Sequence, residues 1–391
     1  MTNLKATLQA WAEASSVVRG THVSARAPDA IDRIHAALGT GPLAAVMMFV
    51  SPEADATEVA AQASARFPGT PVLGCTTAGE LSFDGYSEGE IVAVGFPSDH
   101  FLTESLLIDD LTDLHPEALV SEMIRLRQRL GSARPDWEGE FAFLLVDGMS
   151  RREDELMAAL ATGLGPVRLF GGSAGDGLRF GETFVLHNGK ALKNAAVLTF
   201  VRTACPVRVF NLDHLLPTGL RMVVTEADPA ERIVRQINAE PAAREYARLL
   251  GKDPDQLTTF TFAAHPVVVR IGGRHHVRSI QRMAANGDLV FFSAIDEGLV
   301  LTLAEPMHMA NHLDAELSKL SEGGVPAAIL ACDCILRRIE AEEKQMFGQV
   351  SAILKKHRVL GFSTYGEQLG TVHVNQTMTG IAIYPPAGHD R

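Results

Sequence analysis

The 391-residue chain has a formal net charge of −12, with 46% hydrophobic and 21% charged residues. This balance excludes a disordered chain and is typical of a globular protein of about two domains. Lysine and arginine are nowhere concentrated, as a nucleic-acid partner would require, and no apolar run approaches the roughly 18 residues of a membrane span. We therefore expect neither nucleic acid nor a membrane as a partner.

Cysteine usage and the first residues bear on the cellular compartment. The four cysteines, Cys75, Cys205, Cys332 and Cys334, are too few for a disulfide framework in so long a chain. Residues Met1–Gly20 lack the basic segment followed by an apolar segment that marks a signal peptide. We expect a cytoplasmic protein.

The chain begins with helical patterns and a first strand–helix–strand unit. Apolar residues at helical spacing predict helices over residues 4–18 and 29–38. The continuous apolar run Ala45–Val50 predicts a buried strand. An amphipathic helix over Thr57–Phe67 follows, and a short apolar run then leads into a Gly loop at residues 72–80. Two strands and a helix are predicted next: Ile91–Phe96, Phe101–Ile108 and Pro116–Leu130.

A second unit repeats this order. The run Phe141–Val146 predicts a strand, Arg152–Leu164 predicts a helix, and a second Gly loop occupies residues 169–176. The pair Asn188-Gly189 between strand-like runs indicates a hairpin turn. The strands predicted around and after that turn are Thr183–His187, Ala195–Val201 and Val207–Leu212.

The pattern changes near residue 229, where helical spacing replaces strand-like runs. Helices are predicted over Ala230–Ile237 and Ala242–Leu250. The strands predicted after them are Val267–Ile271, Val277–Ile280, Leu289–Phe292 and Leu299–Leu303. We therefore divide the chain into an N-terminal helical segment (1–40), a first domain (41–228) and a second domain (229–391).

A third unit occupies the end of the chain. A helix over Met307–Leu320 precedes the strand-like run Ala327–Cys332. One long helix is predicted over Leu336–Lys356, and a third Gly loop follows at residues 359–367.

The three Gly loops are copies of one another. They read V-L-G-C-T-T-A-G-E (72–80), L-F-G-G-S-A-G-D (169–176) and V-L-G-F-S-T-Y-G-E (359–367). Each follows an apolar run, a helical segment and a second apolar run, so one supersecondary unit is used at least three times. The predicted fold is α/β, with repeated strand–helix–strand units, added antiparallel strands and layered sheets covered by helices.

These residues resemble the FIST family of bacterial sensory proteins. The matching pieces are Gly74–Glu80 and Phe170–Asp176 for an N-terminal FIST domain, and Gly361–Glu367 with Asn375-Gln376-Thr377 for a C-terminal one. The two-domain arrangement is similar to that of the nitric-oxide-sensing haemoproteins called NosP. This resemblance implies haem b as cofactor, nitric oxide as signal, and a histidine kinase or cyclic-di-GMP enzyme as partner. The alternative is a FIST sensor for a small polar metabolite such as an amino acid, without haem.

Haem would need an axial ligand, usually histidine, in an apolar pocket. His214 is the first candidate, because it follows a predicted strand near the end of the first domain, where a cleft between domains is expected. His187 and His373 are lesser candidates. A histidine at a surface or an internal interface is the competing interpretation for each.

The Gly loops supply candidate ligand-binding residues, since loops at strand ends bind ligands in open α/β sheets. The candidates are Cys75, Thr76, Ser173 and Tyr365. Recurrence in three copies attributes the shared glycines and acids to a common tight turn. Letters that differ between copies, Cys75 and Tyr365, are the better functional candidates.

Cys332 and Cys334 are spaced so that both side chains share one strand face. With a histidine such as His214 they would provide part of a tetrahedral zinc site, and two small buried residues are the competing interpretation. The sequence contains no nucleophile elbow and no nucleotide-binding fingerprint, so an enzyme is not expected. A homo-oligomer is left open.

Overall fold

The computed structural model describes residues 17–271 and 273–386, which form a mixed α/β protein. Its helices are α1 Ala30–Leu38, α2 Ala56–Arg66, α3 Pro116–Ala133, α4 Glu153–Leu164, α5 Ala242–Leu250, α6 Thr259–Ala264, α7 Met309–Lys319, α8 Ile335–Glu343 and α9 Phe347–Lys356. Within these described ranges, no helix is both long enough and apolar enough to cross a bilayer.

The strands are grouped into four sheets. Their bounds are β1 Arg19–Ser24, β2 Leu43–Val50, β3 Val72–Thr76, β4 Glu80–Ser82, β5 Gly85–Ser87, β6 Glu90–Pro97, β7 Phe101–Ile108, β8 Gly139–Val146, β9 Arg168–Ser173, β10 Val185–His187, β11 Lys190–Leu192, β12 Ala196–Thr203, β13 Val207–Leu212, β14 Leu215–Asp228, β15 Ile233–Ile237, β16 Glu240–Pro241, β17 Val267–Ile271, β18 Arg274–Arg278, β19 Ile280–Met283, β20 Leu289–Phe291, β21 Val300–Pro306, β22 Ala328–Cys334, β23 Val359–Thr364, β24 Glu367–Leu369, β25 Val372–Val374 and β26 Met378–Ile383.

The repeated unit predicted from the sequence is present three times. Strands β2 and β3 pair in parallel across α2, β8 and β9 pair in parallel across α4, and β22 and β23 pair in parallel across α8 and α9. An antiparallel strand (β6, β12 or β26) then pairs with the other side of the first strand. The buried apolar runs form these strands because both faces of each sheet are covered.

The first glycine of each Gly loop is required by this parallel pairing. A Cβ atom added at Gly74 or Gly171 would lie 2.1 Å from the carbonyl oxygen of the facing strand, and one at Gly361 would lie 1.8 Å away. No side chain fits at such a distance. These shared glycines therefore belong to the fold, as their recurrence predicts.

The hairpin that follows each Gly loop pairs with the sheet of another unit. Hairpin β4–β5 of the first unit pairs with β23 of the third, β24–β25 of the third pairs with β9 of the second, and β10–β11 of the second pairs with β3 of the first. The three six-stranded sheets consequently share one order, β1-β6-β2-β3-β10-β11, β7-β12-β8-β9-β24-β25 and β13-β26-β22-β23-β4-β5. The exchange of hairpins is cyclic. It gives the three six-stranded sheets and their helices, which we call the body, pseudo-threefold symmetry.

The three units meet in a common core, which explains why the loop copies differ. The residues directly after the first shared glycine are Cys75, Gly172 and Phe362, all buried in this core. The Phe362 ring stacks on Phe49 with centroids 4.6 Å apart. A Cβ atom at Gly172 would lie 2.9 Å from Cζ of Phe362. One large side chain fills the space, so the equivalent positions hold small residues.

The fourth sheet is a separate layer formed by residues 215–306. Its strand order is β18-β17-β21-β14-β15-β20-β19, with β16 pairing with β15. Helices α5 and α6 belong to this layer, which has its own apolar core around Met222, Tyr246 and Leu301. The layer is inserted in the sequence between β13 and α7. The residues before and after it belong to the same body.

One sequence prediction fails at this layer. The helix predicted over Ala230–Ile237 is wrong, because residues Ile233–Ile237 form β15 and pair with β14. The β-branched residues of I-V-R-Q-I suit a strand, and their pairing partner decides between the two structures. The domain boundary predicted between residues 228 and 229 falls in the turn between β14 and β15, and the division into two domains stays a prediction.

Two helical predictions are also corrected. In the segment assigned as N-terminal and helical, residues Arg19–Ser24 form an edge strand antiparallel to β6, and α1 is the described helix. Residues 4–16 of the predicted first helix lie outside the described residues. The long helix predicted over Leu336–Lys356 is divided into α8 and α9, because Gln345 adopts a left-handed backbone conformation with φ of 55°.

Candidate functional site

The cysteine candidates lie in the interior. Cys75, Cys332 and Cys334 are buried, and burial raises the pKa of each thiol well above its usual value. Zinc binds thiolates, which this environment disfavours. The described residues contain no group of three or more His, Cys, Asp or Glu side chains arranged for a metal ion. The Cys332–Cys334 pair and His214 therefore do not fit a zinc site.

Thr76 and His187 have structural contacts at the exchanged hairpin β10–β11. Oγ1 of Thr76 accepts a hydrogen bond from the backbone N–H of Phe184 at 3.0 Å. Nε2 of His187 lies 3.2 Å from Oγ of Ser105 and 3.3 Å from Nδ2 of Asn188. Burial lowers the pKa of His187. Both residues thus hold the hairpin against its neighbours.

His214 is fully buried, and both of its ring nitrogens are occupied. Nδ1 lies 2.9 Å from a guanidinium nitrogen of Arg337, and Nε2 lies 3.0 Å from Oε2 of Glu340. Because arginine only donates, Nδ1 accepts and Nε2 carries the proton that is donated to Glu340. Burial lowers the pKa of His214, so the ring is neutral at neutral pH.

From His214, a network of hydrogen-bonded and paired charged side chains continues into the body. Nε of Arg337 donates to Asp333 at 2.7 Å, and Asp333 accepts a hydrogen bond from the hydroxyl of Tyr86 on hairpin β4–β5. Lys344 donates to Glu340 at 2.7 Å. The network ties α8 to the start of β14 and to the exchanged hairpin.

A different buried polar region lies where hairpin β24–β25 meets the N-terminus of α4, the end of β9 and the inserted sheet. We call it the polar chamber. It is lined by Glu153, Ser173, Arg278, Gln368, His373 and Asn375.

A chain of hydrogen bonds fixes the protonation of His373 in the polar chamber. Oγ of Ser173 lies 3.3 Å from Oε1 of Glu153 and accepts from Nε2 of Gln368 at 2.9 Å. The same Gln368 nitrogen lies 3.3 Å from Nδ1 of His373. Since the amide donates, Nδ1 accepts and Nε2 carries the proton. Burial lowers the pKa of His373, so the ring stays neutral.

Several polar atoms of the polar chamber have no hydrogen-bond partner within residues 17–271 and 273–386. They are Nε2 of His373, Nδ2 of Asn375, Oε1 of Gln368, Nε of Arg278 and, beside them, Oγ of Ser279. Buried polar groups are nearly always bonded, and each one left unpaired costs about 1–3 kcal/mol. The chamber is therefore prepared for an additional hydrogen-bonding group.

The pseudo-threefold symmetry provides an internal comparison for this chamber. His373, Tyr86 and Ala191 occupy the same position, the middle residue of the second strand in each exchanged hairpin. Tyr86 is bonded to Asp333, and alanine has no polar side-chain atom. Of these three equivalent positions, His373 alone carries an unpaired polar atom.

A cavity of about 160 Å³ opens next to the polar chamber. Its walls include the ring of Tyr365, which stacks on Phe180 with centroids 4.5 Å apart, and Arg232 and Phe292. Arg232 donates to Glu153 of the chamber and to the carbonyl oxygen of Phe292. The Arg232–Glu153 pair therefore forms a wall common to the cavity and the chamber.

Three of the residues predicted from the sequence meet at this place, namely Ser173, Tyr365 and His373. Tyr365 has a structural role in addition, since its hydroxyl donates to the Asp176 carboxylate and accepts from the backbone N–H groups of Asp176 and Phe180. The chamber residues that sequence reasoning missed as site residues are Glu153, Arg278, Gln368 and Asn375. For Asn375 the sequence signal is its place in the N-Q-T family motif.

A larger cleft of about 540 Å³ lies between the first two Gly loops and α8. The guanidinium of Arg338 lies across Gly79 and is paired with Glu88 at 2.7 Å. Burial raises the pKa of Glu80 to about 7, and its carboxyl group is bonded to Thr77. The buried charges of this cleft are thus partnered, which distinguishes it from the polar chamber.

The fold defines an α/β protein built from three exchanged units and one inserted layer. The family models for the FIST N domain and the FIST C domain match residues 44–240 and 242–369. The chain belongs to the FIST family, whose domains are sensory domains for small ligands. No curated protein matches the chain. The finer likeness to NosP haemoproteins stays a prediction.

Haem does not fit His214 or His373 as they are placed. An axial ligand needs a free nitrogen lone pair in an apolar pocket. Both nitrogens of His214 are bonded, Nε2 of His187 is bonded, and Nε2 of His373 carries a proton and faces Gly366 and other polar groups. His214 and His373 would have to rearrange before either could bind iron.

Proposed function

We propose that this protein is a non-enzymatic cytoplasmic sensor that binds a small polar metabolite, such as an amino acid, in the polar chamber and adjoining cavity. The observation that carries the proposal is the group of unpaired buried atoms around His373. A ligand that bonds to them offsets a cost the folded protein already bears, so binding is favoured by groups held in place beforehand.

The route from the chamber to the rest of the molecule starts at the residue next to Asn375. Nε2 of Gln376 donates to the carbonyl oxygen of Ala263 in α6 at 2.6 Å and lies 3.3 Å from Oε2 of Glu340 in α8. A ligand that shifts hairpin β24–β25 would therefore act on both helices. We propose that these helices carry the signal to a partner, such as a histidine kinase or a cyclic-di-GMP enzyme.

A thermal-shift screen with amino acids and related metabolites tests the proposal. A ligand at about 100 times its Kd stabilises the folded state by about 2.7 kcal/mol, which raises the melting temperature. The response should be lost in His373→Ala and in Asn375→Ala, and kept in His187→Ala, which alters a histidine outside the chamber. A response from no metabolite, or one that both chamber variants retain, would contradict the proposal.

Absorption spectroscopy of the purified wild-type and variant proteins tests the haem alternative. Absorption spectra of the purified protein and of protein mixed with haemin are recorded for the wild type, His214→Ala and His373→Ala. We expect no specific Soret band. A band that appears in the wild type and disappears in one variant would replace the metabolite by haem and identify the axial ligand.

A further inference from the structure

Arg278 differs from the other charged residues around the polar chamber. One of its terminal nitrogens donates to the backbone oxygen of His373 at 2.9 Å, and its Nε is buried without a partner in the part of the chain that the structure describes. Among the described residues, no carboxylate oxygen lies within 4.0 Å of its guanidinium. A guanidinium this enclosed normally has an anionic partner. Burial accordingly lowers the pKa of Arg278.

The acidic groups nearby are already committed. Glu153 pairs with Arg232 and accepts from Ser173. Asp154 accepts a hydrogen bond from the backbone N–H of Ala294 at 3.2 Å. Asp154 and Asp296 act on Arg278 only through longer-range charge interactions. The positive charge of Arg278 is therefore the one beside the chamber that lacks a contacting counter-charge among the described residues.

The unpaired atoms around Arg278 are mostly donors. Nε of Arg278, Nδ2 of Asn375 and the protonated Nε2 of His373 all donate. The unpaired acceptor in the chamber is Oε1 of Gln368. The chemistry that satisfies several donors and one guanidinium is an oxyanion, and a planar carboxylate matches the guanidinium fork.

Gly366 packs directly against the two neighbouring donors. A Cβ atom at this position would lie 2.8 Å from Nδ2 of Asn375 and 2.9 Å from Nε2 of His373. Any side chain would therefore clash with both nitrogens, so glycine is required where this loop meets the chamber.

We propose that the ligand of the polar chamber carries a carboxylate, and that Arg278 binds it together with His373 and Asn375. The inference rests on the proposed function, because it names the chemical class of the ligand for the same site. It assigns a binding role to an arginine in the inserted sheet, and so makes that layer part of the site.

Acetate and acetamide provide a matched pair of probes, since they share a shape and differ in charge. At equal ionic strength, acetate should bind the wild type about tenfold more tightly than acetamide, as the difference between charged and neutral hydrogen bonds predicts. Arg278→Gln should abolish that preference, whereas Arg235→Gln, in the exposed part of the same sheet, should keep it. Affinity is measured by calorimetric titration and by melting temperature.

A second variant keeps the test decisive if Arg278→Gln fails to fold. Asn375→Asp preserves the side-chain shape and places a negative charge next to the expected carboxylate, so acetate binding should be lost. Equal binding of acetate and acetamide, or acetate binding retained in the folded variants, would overturn the inference. Binding of a neutral metabolite through His373 without an acetate preference would remove the inference and leave the sensor proposal standing. If acetate binding depends on Arg278 and no metabolite gives a response, the binding role of Arg278 stands and the sensor proposal is contradicted.

Discussion

At Gly74, Gly171 and Gly361 the backbone of one strand passes so close to its parallel neighbour that a methyl group would meet a carbonyl oxygen. The residue that follows each of these glycines faces the common core, where the large ring of Phe362 leaves room for a thiol at one equivalent position and for no side chain at the other. The shared glycine is therefore explained by a backbone constraint. The residue after it differs between the loop copies because the three positions pack together around the pseudo-threefold axis.

Alanine at one of the shared glycines should destabilise the protein. We expect Gly171→Ala to lower the free energy of unfolding by about 1–3 kcal/mol, because the added methyl group overpacks a rigid strand pair. Gly348→Ala is the control, since no atom lies within 4 Å of its added Cβ and the site is helical. The control should be neutral or up to about 1 kcal/mol more stable. Urea denaturation measures both, and similar values for the two variants would contradict the packing argument.

The turn elements of the first and third Gly loops share a hydrogen bond that the second lacks. Thr77 donates to Glu80, and Thr364 donates to Glu367, three residues later in each case. Burial raises the pKa of Glu80 to about 7 and that of Glu367 to about 8. In the second copy, the corresponding Asp176 instead holds the loop that follows it, by accepting from two backbone N–H groups.

The raised pKa of Glu367 predicts how stability depends on pH. The folded protein keeps this proton up to about pH 8, whereas the unfolded chain loses it near the ordinary value of 4.5. The free energy of unfolding should therefore fall as pH rises from about 4.5 to about 8, by about 1.4 kcal/mol for each unit of pKa difference. Glu367→Gln should flatten this slope and the exposed control Glu58→Gln should not, as measured by urea denaturation from pH 5 to 9. A slope unchanged in Glu367→Gln would show that other groups cause it.

At the scale of elements, the sequence predicts local structure well where burial alone decides it. The runs Ala45–Val50 and Phe141–Val146 are strands as predicted, because continuous apolar residues need cover on both faces. Residues Ile233–Ile237 were misassigned because their structure depends on pairing with β14, which no local pattern shows. The site follows the same rule. Ser173 and His373 are candidates from the sequence and lie at the polar chamber, whereas Arg278 reaches it from the inserted sheet.

For the whole molecule, the cyclic exchange of hairpins makes each unit depend on another. Hairpin β24–β25 belongs to the third unit in sequence and completes the sheet of the second. The polar chamber lies at this exchanged junction. Pairings between elements so distant along the chain follow from the packing of three units together, and so could not be predicted from one unit alone.

A proline in an exchanged strand should loosen a different unit. Gln368 of β24 pairs with Gly171 of β9, and proline has no N–H to contribute to that ladder. We expect Gln368→Pro to accelerate amide hydrogen exchange in β9. The control Leu81→Pro, in β4, should instead accelerate exchange in β23, with which that hairpin pairs. Hydrogen-exchange mass spectrometry distinguishes the two patterns, and unchanged exchange in β9 would argue against the exchange of hairpins.

The exchanged hairpin β24–β25 also has a consequence for the protein while it is being synthesised. The edge of β9 leaves the ribosome about two hundred residues before the strand that covers it. During that interval the nascent chain presents unpaired N–H and C=O groups along an otherwise buried sheet, which is a surface prone to wrong pairing. Slower translation of the last unit should therefore reduce the soluble yield, unless a chaperone covers that edge until the third Gly loop emerges.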